Sequence, residues 1–189
     1  MGRFVGAGSA QRGFSLAEML VVVALIAVGT AIAIPVTMAS VQRAKGDSAL
    51  SVTEAFLDGA RDRAVAERRN IELSFQAPNI LRLHRVEVPS GLKTVVGELR
   101  LEAGQELLKF AGVPDTPDAF GNASVFEFSG TAPFMFTSDG SLIDSAGDVS
   151  NGTIFFGVPR QPDSARAMTV FGVTGLIRSW KWRGAQWSE

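Results

Sequence analysis

Glu18 is the single carboxylate in an apolar run from Phe14 to Ile34. As a helix rising about 1.5 Å per residue, such a run matches a hydrocarbon core of roughly 30 Å and predicts a membrane-inserted segment. A charged side chain in that setting costs on the order of 2.5–3.5 kcal/mol at the bilayer centre and less near an end. Its chemistry is therefore ion pairing, and Glu18 needs a cation. The residues ahead of the run are equally informative: Met1 to Gly13 carries Arg3 and Arg12 and ends in Arg12-Gly13 directly against Phe14. A secretory signal is cut after its apolar region, whereas here the processing site is expected before it.

Three further groups of residues could carry chemistry. Arg178, Trp180, Lys181, Trp182 and Arg183, followed by Trp187, interleave cations with large aromatics and could neutralise phosphates and stack bases. The other reading is a terminal strand with Leu176, Trp180 and Trp182 turned inward and Lys181 and Arg183 solvated. Asp139, Asp144, Asp148 and Asn151 offer oxygen ligands in a loop rich in glycine and serine, but their spacing fits no EF-hand, and turn chemistry accounts for them. His84, the one histidine, could pair with a serine and an acid for nucleophilic catalysis, yet no nucleophile motif accompanies it. With no cysteine there is no disulfide, thiolate metal site or cysteine nucleophile. No enzyme, cofactor or metal is expected.

The N-terminal landmarks resemble the type IV prepilin signature. That resemblance implies cleavage between Gly13 and Phe14 by a prepilin peptidase on the cytoplasmic side and N-methylation of Phe14. Glu18 becomes the fifth mature residue, and Pro35 the twenty-second, where helices of this family bend. It also supplies the missing cation: in an assembled filament Glu18 meets the Phe14 ammonium of a neighbouring subunit, a charge that methylation keeps.

These residues need elements to position them. Beyond Pro35, apolar residues recur at three- and four-residue spacing through Val41, Val52, Phe56, Ala60 and Ala64, predicting one helix over about 14–69 with one face packed. Gly46-Asp47-Ser48 marks a weak point, and Ser51 to Glu54 could restart the helix as a capping box. From Ile71 the period changes to two, and short strands are expected near 71–76, 80–88, 93–102, 107–112, 124–128, 133–137, 153–158, 167–173 and 176–182. The expected architecture is α+β, a long N-terminal helix packed on an antiparallel sheet or small sandwich. It divides into a leader (1–13), a transmembrane or filament-core helix (14–35), a periplasmic half of that helix (36–70) and a β-rich domain (71–189). Losing the leader removes two of 18 basic residues, leaving 16 against 19 acidic ones, a formal charge of −3 that disfavours a globally basic nucleic-acid binder.

Residues 60–73, the Phe136 to Gly140 turn and the closing Met168 to Arg178 hairpin are similar to the GspH/FimT group of minor pilins and pseudopilins. The resemblance implies a minor pseudopilin of a type II secretion system, held in the bacterial inner membrane with its C-terminal domain in the periplasm. Its partners would be other pseudopilins or minor pilins. The alternative is a FimT-like minor pilin serving pilus assembly or DNA uptake. Some FimT proteins bind DNA through a Gly-Arg-x-Arg element; here Gly175-Leu-Ile-Arg178 lacks the first arginine, so DNA is not expected as a specific partner.

Overall fold

The computed structural model describes residues 15–189; of residues 32–39 and 42 it describes the backbone alone. Gly13 and Phe14 lie outside the described residues. The chain opens with α1 (Leu16–Glu67) and divides at Val41/Gln42 into two units.

In the first unit, large apolar side chains from Leu16 to Val28 are exposed, Leu16 at 78 %. Among the described residues no helix is long and apolar enough to cross a membrane. The expected span over 14–35 lies partly outside the described residues, at Phe14 and in the side chains of 32–35. α1 continues through position 35, where the Pro35 side chain is outside those described.

The second unit is built from the rest of α1 and ten strands: β1 (Ile71–Gln76), β2 (Ile80–Val86), β3 (Lys93–Arg100), β4 (Phe126–Phe128), β5 (Phe134–Phe136), β6 (Leu142–Ile143), β7 (Gly152–Phe156), β8 (Arg166–Phe171), β9 (Leu176–Trp182) and β10 (Trp187–Ser188). They form two five-stranded sheets, ordered β3-β2-β1-β5-β6 and β10-β9-β8-β7-β4, with every pairing antiparallel. The expected α+β arrangement, a helix packed on antiparallel sheet, is met, with two sheets that share a core with α1. Leu50, Leu57, Ala60 and Ala64 of the helix meet Leu73 and Phe136 of the first sheet and Ile154, Met168, Val170 and Ile177 of the second.

The helix runs unbroken past Gly46. A Cβ there would lie 3.1 Å from the Arg166 guanidinium carbon, so glycine lets that side chain lie against the helix. The residue that reads as a weak point in the sequence is a contact point in the fold. α1 ends at Glu67, and Arg68 just beyond it has a φ of 51°, the left-handed conformation common after a helix terminus. β1 alternates as expected with one exception: Glu72 is buried because Lys93 on β3 clasps its carboxylate at 2.7 Å.

One expected strand is absent. Residues 107–112 pair with nothing as a ladder; Leu107, Phe110 and Val113 are buried at three-residue spacing instead. Phe110 and Val113 join Phe155, Ala165, Ala167, Trp180, Trp182 and Trp187 in a second apolar cluster. β8 explains why two clusters exist: Met168 and Val170 belong to the first, while Ala167 belongs to the second, as alternation in a sheet covered on both faces requires.

Candidate functional site

The N-terminal site begins with the first turn of α1. Ser15 Oγ accepts from the Glu18 backbone N–H at 3.2 Å, and Glu18 Oε2 accepts from the Ser15 N–H at 3.1 Å. This is a reciprocal capping box, which satisfies two backbone donors that a helix start leaves open. Its carboxylate also sits at the positive end of the helix macrodipole. Sequence reasoning assigned Glu18 to a cation on a neighbour and missed its partner three residues away; the signal was present as Ser15-x-x-Glu18. The carboxylate is exposed and has acceptor capacity left for an ammonium.

The C-terminal strip resolves into packing and ion pairs. Trp180 and Trp182 are each 8 % exposed, within the second cluster, so neither ring has a face open for a base. Trp180 Nε1 donates to Thr169 Oγ1 at 3.0 Å and to Asp118 Oδ2 at 3.2 Å, and Trp187 Nε1 donates to the Pro114 carbonyl at 3.0 Å. Leu176, expected inward with Trp180 and Trp182, is exposed at the hairpin end, while Ile177 is buried in the first cluster on the opposite face. Arg178 donates to Asp118 at 2.9 Å and lies 4.9 Å from the Phe171 ring centroid. Lys181 is half-buried and Arg183 exposed.

Asp118 is the residue that sequence reasoning missed here. Its carboxylate is 7 % exposed and accepts from Thr169, Arg178 and Trp180. It pins the 105–123 segment over the outer face of the second sheet. Arg166, at the start of β8, was also missed. Its guanidinium is 1 % exposed and donates to Asp47 Oδ1 from Nε and Nη2 (3.1 and 2.9 Å), to the Asp163 and Ala165 carbonyls from Nη1 (3.2 and 2.9 Å), and to the Arg43 carbonyl from Nη2 (3.4 Å). All five N–H donors of an arginine are thereby used.

The loop carboxylates are engaged by turn backbone. Asp144 accepts from the amides of Thr131, Ala146 and Asp148, which hold its pKa below the ordinary value, and Asn151 Oδ1 accepts from the Gly172 amide at 2.8 Å. Among the described residues no group of three or more such side chains is placed to hold a metal ion. Asp139 is lowered from 3.8 to about 2, first by the Thr137 hydroxyl and then by the Ser141 hydroxyl and amide. A folded-state pKa below the unfolded one adds stability above the unfolded value and loses it as pH falls through the folded value. Stability is therefore expected to decline between about pH 4 and pH 2, and Asp139→Asn should flatten that decline in acid titrations followed by circular dichroism.

His84 does find a serine: Ser74 Oγ lies 2.8 Å from His84 Nε2 across the β1–β2 pair. Among the described residues no carboxylate bonds the other ring nitrogen, so the pair lacks the orienting group of a triad.

Residues 8–34 match the prokaryotic N-terminal methylation motif. No curated protein matches the sequence. Among solved structures, the minor pseudopilin EpsH of the Vibrio cholerae type 2 secretion system is similar at a TM-score of 0.49 and 11% identity, covering 72% of this chain and 97% of its own. The type IV minor pilin FimU of Pseudomonas aeruginosa PAO1 is similar at a TM-score of 0.49 and 16% identity, covering 78% of this chain and 95% of its own. At that level of likeness neither structure bears on function. The methylation motif thus overlaps the start of a long helix that leads into antiparallel sheets.

Proposed function

We propose that this chain is a minor pseudopilin of a type II secretion system, cut between Gly13 and Phe14 by prepilin peptidase and methylated on Phe14. It sits in the inner membrane through residues 14–35 and joins other pseudopilins in a periplasmic filament. The observation that carries this reading is the methylation motif over residues 8–34, which sets Glu18 in the first turn of a helix with exposed apolar side chains. Such a surface calls for cover by lipid or by neighbouring helices. In the lone chain Glu18 caps its own helix; on assembly it also takes the Phe14 ammonium of the next subunit. A FimT-like minor pilin would share this N-terminal physics, but its DNA-uptake variant draws no support from a strip whose tryptophans are buried.

Mass spectrometry of the membrane-extracted protein should show methylated Phe14 as the first residue. Glu18→Ala should leave membrane retention intact and reduce incorporation into filaments, read by co-purification with partner pilins. Glu18→Gln separates the roles, because its amide oxygen can still accept from the Ser15 N–H while carrying no charge for an ammonium. Wild-type incorporation of the Gln variant would refute the charge-pairing role. Crosslinking with identification of neighbours decides between secretion pseudopilins and pilus minor pilins.

A further inference from the structure

The second unit holds a cavity of about 200 Å³ lined by Arg43, Asp163, Arg166, Trp182 and Arg183. Three arginines from distant parts of the chain meet there, on α1, at the start of β8 and just past β9. Lys181 pairs with Arg166 across the β8–β9 ladder but does not line the cavity. The facing carboxylates are Asp47, committed to Arg166, and Asp163.

Arg166 has no donor to spare, but the other two arginines differ. Among the described residues neither Arg43 nor Arg183 forms an ion pair; Arg183 Nε reaches the Ser188 hydroxyl at 3.2 Å. The like charges act on one another: burial lowers the pKa of Arg166, Asp47 opposes this, and Arg183 and Arg43 each lower it further. A walled recess with excess positive charge and two guanidinium forks at its rim has the chemistry of an oxyanion site, because arginine binds phosphate oxygens in pairs.

We propose that this cavity binds a phosphate-type oxyanion between the Arg43 and Arg183 guanidinium groups, over the fixed charge of Arg166 and against Trp182. The phosphate has two available sources, an anionic lipid headgroup and free inorganic phosphate. Arg43 follows the end of the apolar run at Ile34 by nine residues, so the lipid source rests on the reading of residues 14–35 as a membrane segment; the free-anion source does not.

The test uses the full chain in non-ionic detergent, melted in sodium phosphate and in sodium chloride of equal ionic strength. Phosphate at roughly five times its dissociation constant should raise Tm by about 2–4 °C over chloride. The double variant Arg43→Gln with Arg183→Gln, both exposed positions, should lose that shift, while Arg43→Lys with Arg183→Lys should keep part of it. A second arm compares nanodiscs of phosphatidylcholine with and without phosphatidylglycerol: a rise with phosphatidylglycerol in wild type alone assigns the site to headgroups. A rise with inorganic phosphate alone assigns it to the free anion. Coincident melts in both arms, or a shift retained by the Gln double variant, would overturn the proposal. The detergent arm needs neither processing nor assembly, so its failure is distinct from failure of the filament reading.

Discussion

Replacing Arg166 with methionine is expected to destabilise the chain by about 3–5 kcal/mol, because it leaves three carbonyls without their donor at about 1–3 kcal/mol for each buried acceptor. At about 2–4 °C per kcal/mol for a chain of this size, Tm falls by on the order of 6–20 °C. The cause is the loss of a group that ties α1 to the segment ahead of β8. Its five donors join Asp47 and the Arg43 carbonyl of α1 to the carbonyls of Asp163 and Ala165 ahead of β8. Methionine fills much of the volume and satisfies none of those acceptors. Asp47→Ala should also destabilise, because it leaves the buried guanidinium without its carboxylate, and the two changes should be strongly non-additive. Thermal melts of the two single variants and the double variant measure the coupling. A loss below about 1 kcal/mol for Arg166→Met would show that the clamp is dispensable.

Asp118→Ala is expected to cost about 2–3 kcal/mol, since it removes a carboxylate that takes donors from Thr169, Trp180 and Arg178. Trp180 keeps its bond to Thr169, which bounds the loss. The more specific readout is spectroscopic. With its pin removed, the segment carrying Phe110 and Val113 covers the second cluster less firmly, so emission from Trp180, Trp182 and Trp187 should shift to the red before global unfolding. Asp118→Asn keeps the shape but offers one acceptor oxygen in place of two, so its NH2 faces either the Arg178 or the Trp180 donor and part of the loss should remain. Unchanged emission in Asp118→Ala would show that apolar contacts alone hold the cover in place.

Local physics made several features of this protein legible in the sequence. Apolar runs at helical spacing mark α1 because a helix face repeats every 3.6 residues whatever it packs against. The switch at Ile71 marks β1 because strand alternation is equally local. The N-terminal motif needs no tertiary context, and even the Ser15–Glu18 box, overlooked in favour of a remote partner, is written in four consecutive residues. What depends on residues more than 50 positions apart was not legible in that way. Gly46 reads as a helix breaker until Arg166, 120 residues later, is seen lying against it. Asp118 reads as a solvated loop acid until Thr169, Arg178 and Trp180 converge on it. The tryptophans read as a stacking surface until the segment expected to hold a strand at 107–112 is found covering them. In each case the sequence determined the residue's chemistry, and the fold alone decided whether that chemistry faces solvent or another part of the chain, because burial depends on which distant segment closes over a side chain.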